Sequence, residues 1–199
     1  MKKIALSTLQ NPSSYTAYRT LVNHLVAEEQ STGTDQSEER INFSLLNDRR
    51  MKRLDKTLQL SPETTAEINA ITSPQTWLVL SEGWCGDAAQ NLPVIAKMAA
   101  VNPKITLQVI LRDENLPVMD AFLTNGGRAI PKMLVVNTAE EVVATWGPRP
   151  SKATQLVRDY KATHGSIDAE FKKELQVWYN KEKGKNTQED IVALLNKIL

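Results

Sequence analysis

Two apolar, β-prone runs, Thr76-Trp77-Leu78-Val79-Leu80 and Ile105-Thr106-Leu107-Gln108-Val109-Ile110-Leu111, flank a segment from Asp87 to Ala100 that carries Leu92, Ile95, Ala96 and Ala99 at helical spacing. The first run has no polar alternation, so the strand it forms must be buried on both faces. A strand, helix and strand of these lengths close as a right-handed crossover between parallel strands. A short helix around Leu116 to Leu123 follows, ended by Asn125-Gly126-Gly127. Met133 to Val136 and Glu141 to Trp146, joined by Asn137-Thr138-Ala139-Glu140, read as an antiparallel hairpin. The expectation is an α/β fold around a mixed sheet of about four strands.

Helices are expected on either side of this core. Tyr15, Tyr18, Leu21, Val22, Leu25 and Val26 define the inward face of a helix capped by Ser13 or Ser14 and stopped by Ser31-Thr32-Gly33-Thr34-Asp35. A second helix is expected from about Ser37 to Leu58, with Ile41, Leu45, Met51, Leu54 and Leu58 inward, and a third begins at Ser61-Pro62-Glu63. After Gly147-Pro148-Arg149-Pro150, helices are expected over about 151–162, 167–181 and 187–199, the last capped by Thr187-Gln188-Glu189-Asp190. The division is then an N-terminal helical extension over 1–73, a core over 74–150, and helices over 151–199 that complete the same domain.

With 24 basic and 23 acidic side chains the net charge is +1, which disfavours nucleic acid as a partner. There is no apolar run of about 18 residues to span a membrane, and Met1 to Thr8 is too short for a signal-peptide core. A cytoplasmic location is the expectation. The stretch Arg49-Arg50-Met51-Lys52-Arg53-Leu54-Asp55-Lys56 is locally basic. It reads either as a solvated helix face, since Asp48 and Asp55 interleave, or as a site for an anionic partner. Trp146-Gly147-Pro148-Arg149-Pro150 is either a partner-binding patch or a rigid turn with Trp146 in the core.

The chain has one cysteine, Cys85, so neither an intrachain disulfide nor a cysteine-rich zinc site can form. His24 and His164 have no ligands at metal spacing, and no metal or cofactor is expected. Cys85 falls between the end of the buried strand and the first turn of the next helix. There the helix dipole favours a thiolate, and the expectation is an exposed thiol with a lowered pKa. Pro93 lies within that helix, and Ile130-Pro131 stands at the entrance of the third strand, where a cis bond is plausible.

Trp84-Cys85-Gly86 after a buried strand, Pro93 in the helix and Arg128-Ala129-Ile130-Pro131 before the last two strands together resemble the thioredoxin superfamily over about Thr76 to Trp146. Trp84 to Pro93, Arg112-Asp113-Glu114-Asn115 and Trp146 to Pro150 resemble, more narrowly, an uncharacterised bacterial thioredoxin-like family with helical extensions. The resemblance implies a three-layer α/β/α sandwich, with Cys85 as nucleophile and Trp84, Gly86, Asp87, Arg128, Ile130 and Pro131 around the substrate. It implies thiol-disulfide chemistry with a protein or low-molecular-weight thiol or disulfide, by a monothiol route through a mixed disulfide. The departures are informative. Ala88 stands where a redoxin has its second cysteine, Val79 where it has a buried acid, and Asp87 where it has proline after glycine. An acid beside the thiol raises its pKa unless Arg112 or Arg128 neutralises it or it caps the helix. The alternative is a non-catalytic thioredoxin-fold binding module in which Cys85 packs as a small hydrophobe. An iron-sulfur cluster shared between two copies through Cys85 is disfavoured by the poor match to a glutathione pocket.

Overall fold

The computed structural model describes residues 2–198. Strands β1 (Gln75–Ser81), β2 (Ile105–Leu111), β3 (Lys132–Val136) and β4 (Val142–Trp146) form one mixed sheet in the order β2-β1-β3-β4. β1 runs parallel to β2, with Gln75 opposite Ile105, and antiparallel to β3, with Val79 opposite Met133. β3 and β4 form the expected hairpin, with a register shift at Val135/Val136. Helix α4 (Gly86–Ala99) connects β1 to β2 and continues through Pro93.

The uninterrupted apolar run of β1 is explained by what lies on each side of it. Side chains alternate along a strand, so Trp77 and Val79 enter one core and Leu78 and Leu80 another, all fully buried. Each such burial stabilises the fold by about 1.5–3 kcal/mol. The first core is closed by α1 (Tyr15–Ala27), α2 (Glu38–Thr57), α4 and α8 (Lys185–Leu195), through Tyr18, Val22, Met51, Leu92 and Ile191. Helix α3 (Pro62–Asn69) adds Ile68. The second core is closed by α5 (Leu116–Ala121) through Met119 and by the N-terminal segment through Ile4 and Leu9. That segment pairs Lys3 with Glu141 at one edge of the sheet and Ser13 with Val109 at the other. It thereby satisfies backbone groups that two edge strands would otherwise expose. Helices α6 (Ser151–His164) and α7 (Ala169–Glu182) share a third cluster containing Val157, Phe171 and Leu175. Among the described residues, no helix is long and apolar enough to cross a membrane.

The local signals for helix starts largely hold. Ser14 accepts from the Ala17 N–H at 3.2 Å and Ser61 from that of Thr64 at 3.0 Å. Asp168, which a start at about 167 places inside its helix, is instead the cap and accepts from the Phe171 N–H at 2.8 Å. Two further expectations change. The last helix begins at Lys185 after Gly184, so Thr187 is no cap; its hydroxyl is buried and donates to Asn91 Oδ1 at 2.6 Å. A tertiary partner has taken the side chain that local sequence assigned to the backbone. That helix ends at Leu195, and Leu199 lies outside the described residues. Leu21, expected inward, is 38% exposed because it lies at a surface cleft beside the outer strand β2, with Val109 and Leu111.

Candidate functional site

The loop from Glu82 to Trp84 leaves β1 and delivers Cys85 as the N-cap residue of α4. The N-terminal extension holds this loop from two sides. Thr32 Oγ1 accepts from the Gly83 N–H at 2.8 Å, and Asn47 Nδ2 of α2 donates to the Gly83 carbonyl at 2.9 Å. Trp84 is half-buried, with the Arg40 guanidinium 3.6 Å and that of Arg112 4.8 Å from its ring centroid. The extension is therefore part of the site's framework, a contribution that sequence reading missed.

Cys85 is 8% exposed. Its sulfur accepts from the Ala88 N–H at 3.4 Å, and its thiol donates to the Ile130 carbonyl at 3.2 Å. The Ile130-Pro131 bond is cis, as is Gly147-Pro148. Cys85, Gly86, Asp87 and Ile130-Pro131 are thus gathered around one point, with Trp84 on the same loop. The expected exposed thiolate is corrected. Burial first and the Asp87 charge second push the thiol up to about 12, outweighing the N–H groups of Ala88 and Asp87 and the charge of Arg149. The helix terminus is present as foreseen; desolvation defeats it.

Asp87 is neutralised by neither expected arginine. Arg149 Nη2 lies 2.7 Å from Asp87 Oδ2, and the Tyr179 hydroxyl donates to Asp87 Oδ1 at 3.0 Å. Burial raises the Asp87 carboxyl above its ordinary value, and Arg149 and Tyr179 oppose that shift. Asn91 Nδ2 donates to the Asp87 carbonyl at 2.8 Å and meets the Tyr179 hydroxyl at 3.3 Å. With Thr187 on Asn91, this buried network ties α4 to α7 and α8. Arg128 is instead exposed and bidentate on Asp120, at 2.6 and 2.8 Å, because the two side chains meet across the loop that precedes β3. Arg112 pairs with Asp113 at 2.7 Å.

Arg149 reaches Asp87 because Gly147 lets its loop close on the Pro131 loop. Gly147 has φ +113°, and a Cβ there would stand 2.1 Å from the Pro131 carbonyl oxygen. Of the two readings of Trp146 to Pro150, the rigid turn is the one seen, with Trp146 buried in the core.

Val79 does stand in the core where a redoxin carries its acid, yet a buried acid lies three residues further on. Glu82 is 1% exposed; its Oε1 accepts from the Asp113 N–H at 3.0 Å, and its Oε2 is buried without a partner. Burial raises its pKa, while the Thr32 hydroxyl and the Asp113 N–H pull it down. A carboxyl with a raised folded-state pKa favours folding below its unfolded value and loses that contribution as pH rises through the folded value. Glu82→Gln is therefore expected to melt roughly 2–4 °C higher than wild type at pH 8, the equivalent of about 1 kcal/mol, with the gap narrowing toward pH 4. Thermal melts across that range decide it, and a variant less stable at pH 8 would show that the charge is needed.

A family model described as Thioredoxin matches residues 33–161. Among curated proteins none matches the sequence. A crystal structure of a protein of unknown function from Pseudomonas aeruginosa superposes with a TM-score of 0.59 at 17% identity, covering 94% of this chain and 99% of that one. An HIV epitope-scaffold structure gives 0.56 at 18% identity, covering 94% and 100%. At such identities these likenesses show the fold and nothing finer.

Proposed function

Because the chain belongs to the thioredoxin family, we propose that it acts in thiol-disulfide chemistry by a monothiol route through Cys85, with a protein or low-molecular-weight disulfide as substrate. The observation that carries the reading is the placement of the Cys85 sulfur at the first turn of α4, 3.2 Å from the carbonyl that precedes Pro131. In the proposed cycle the Cys85 proton leaves to solvent and the thiolate attacks one sulfur of the disulfide. A Cys85 mixed disulfide forms and the other half departs as a thiolate. An external thiol then attacks the substrate sulfur of the mixed disulfide, carries that half away, and returns Cys85. Across the cycle one disulfide and one thiol become another disulfide and another thiol.

The resting state is slow. Burial and the Asp87 charge push the thiol up to about 12, so little of it is thiolate at neutral pH. Attack by the masked thiol is then slower than from a free cysteine. An extended partner pairing with the Ile130 backbone would take that carbonyl from the thiol, so substrate binding and thiol release are one event in this reading. A reducing cytoplasmic compartment suits a lone thiol.

Alkylation of Cys85 by iodoacetamide is expected to inflect well above the pH of a free thiol, and Asp87→Asn is expected to move the inflection down. An inflection at or below that of free cysteine would remove the masking. For turnover, wild type and Cys85→Ser are compared in reducing a model disulfide with an external thiol. Equal rates, with no Cys85-linked species under oxidant, would favour the second reading, a non-catalytic binding module whose groove is formed by Trp84, Gly86, Ile130 and Pro131. The masked thiol is the observation on that side.

A further inference from the structure

We propose that the cleft between the C-terminal half of α2 and the turn joining α7 to α8 binds a small, soluble, multiply charged phosphate anion. The cleft measures about 550 Å³, within the size range of small-molecule sites. Its polar wall is Arg53, Lys183, Lys185 and Asn180, its apolar wall includes Leu54 and Tyr179, and no carboxylate among the described residues lines it. Arg53 donates to Asn180 Oδ1 at 2.7 Å, which holds the guanidinium at the rim. None of the three cations makes an ion pair among the described residues.

The acids that the sequence interleaves with this basic stretch are spent elsewhere. Arg19 of α1 takes both, through Nη1 on Asp48 at 2.9 Å and Nε on Asp55 at 3.1 Å, and the Tyr15 hydroxyl adds a bond to Asp55 at 2.6 Å. Glu182, next to Lys183, accepts from the Asn186 N–H through Oε1, its Oε2 is buried without a partner among the described residues, and it makes no ion pair there with Lys183 or Lys185. Among the described residues, no cation of the Arg49 to Lys56 stretch makes an ion pair. Arg50, one turn before Arg53, has its pKa lowered by burial and by the Arg53 charge, as expected where positive charge is in excess. An arginine fork with two ammonium groups suits an anion with several acceptor oxygens, and a concave cleft of this volume suits a small soluble one better than a flat anionic surface. The site stands apart from Cys85 chemistry, although Tyr179 belongs to both: it lines the cleft and its hydroxyl bonds Asp87.

Inorganic diphosphate is the probe, titrated by calorimetry at constant ionic strength in sodium chloride. Saturable binding is expected, weakened about tenfold or more by Arg53→Gln combined with Lys185→Gln, both exposed positions, and a thermal melt of the unliganded double variant separates lost binding from lost folding. Lys161→Gln, on α6, is expected to leave the affinity as in wild type. The proposal is overturned if diphosphate shows no saturable binding at millimolar concentration, if the double variant binds as wild type does, or if a tetraglutamate peptide binds more tightly than diphosphate.

Discussion

Arg149→Ala is expected to lower the free energy of unfolding by about 3–5 kcal/mol, the range seen when one partner of a buried ion pair is removed and the other stays behind uncompensated. The pair is mostly out of solvent, with side-chain exposures of 23% for Arg149 and 12% for Asp87. Asp87 would keep its bond from Tyr179 and lose the one cation it pairs with among the described residues. Its pKa, already raised by burial, would rise further. The folded state would then hold a proton that the unfolded state releases over a wider pH range, so the deficit should be largest at neutral pH and shrink toward pH 4. Arg149→Ala combined with Asp87→Ala should cost less than the two single changes added together, by about 0.5–3 kcal/mol. Urea denaturation of the four proteins measures this directly. Costs that simply add would mean the two side chains act separately. The same variants carry a second readout, because Asp87 raises the Cys85 thiol and Arg149 lowers it. Alkylation of Cys85 should shift to higher pH in Arg149→Ala and to lower pH in Asp87→Asn, and a shift of the same sign in both would refute this electrostatic arrangement.

The unequal legibility of fold and site follows from the range of the forces involved. The Trp77 to Leu80 run is readable because a period of two with no polar member leaves only a doubly covered strand. Helix starts at Ser14 and Ser61 are readable because the cap and the N–H that it satisfies are three residues apart. The position of Cys85 follows from the same local grammar. Its ionisation does not, because burial sets it first and the Asp87 charge second, and that burial is made in part by the Ile130-Pro131 loop, whose approach no spacing encodes. The basic stretch of α2 shows the same limit in reverse. Asp48 and Asp55 sit among the cations in sequence, yet Arg19 of a different helix takes both, so a charge pattern that looks balanced along the chain is unbalanced in space. Thr187 is a third case, a good cap by type and spacing that is used instead to hold Asn91 beneath the Asp87 network.

Gly147→Ala is expected to have the largest effect of any single methyl added to this protein, about 4 kcal/mol or more. Two penalties combine there. At φ +113° an L side chain is strained whatever the space around it, and the new Cβ would stand 2.1 Å from the Pro131 carbonyl oxygen, a backbone atom that no rotamer change can move. Gly126 separates the two terms, since it also has positive φ, +75°, but nothing lies within 4 Å of the methyl direction. Gly126→Ala should therefore report conformational strain alone, about 1 kcal/mol. The difference between the two variants measures the contact of the Gly147 loop with the Pro131 loop. Relief of the clash must push these loops apart, and the Ile130 carbonyl that receives the Cys85 thiol and the Arg149 that holds Asp87 sit on opposite sides of that contact. Gly147→Ala is thus expected to melt roughly 8 °C or more below wild type and to alkylate faster at Cys85 under native conditions, as the thiol loses its acceptor and its cover. Should it melt within about 2 °C of Gly126→Ala, the close approach of the two loops cannot be what holds the site together.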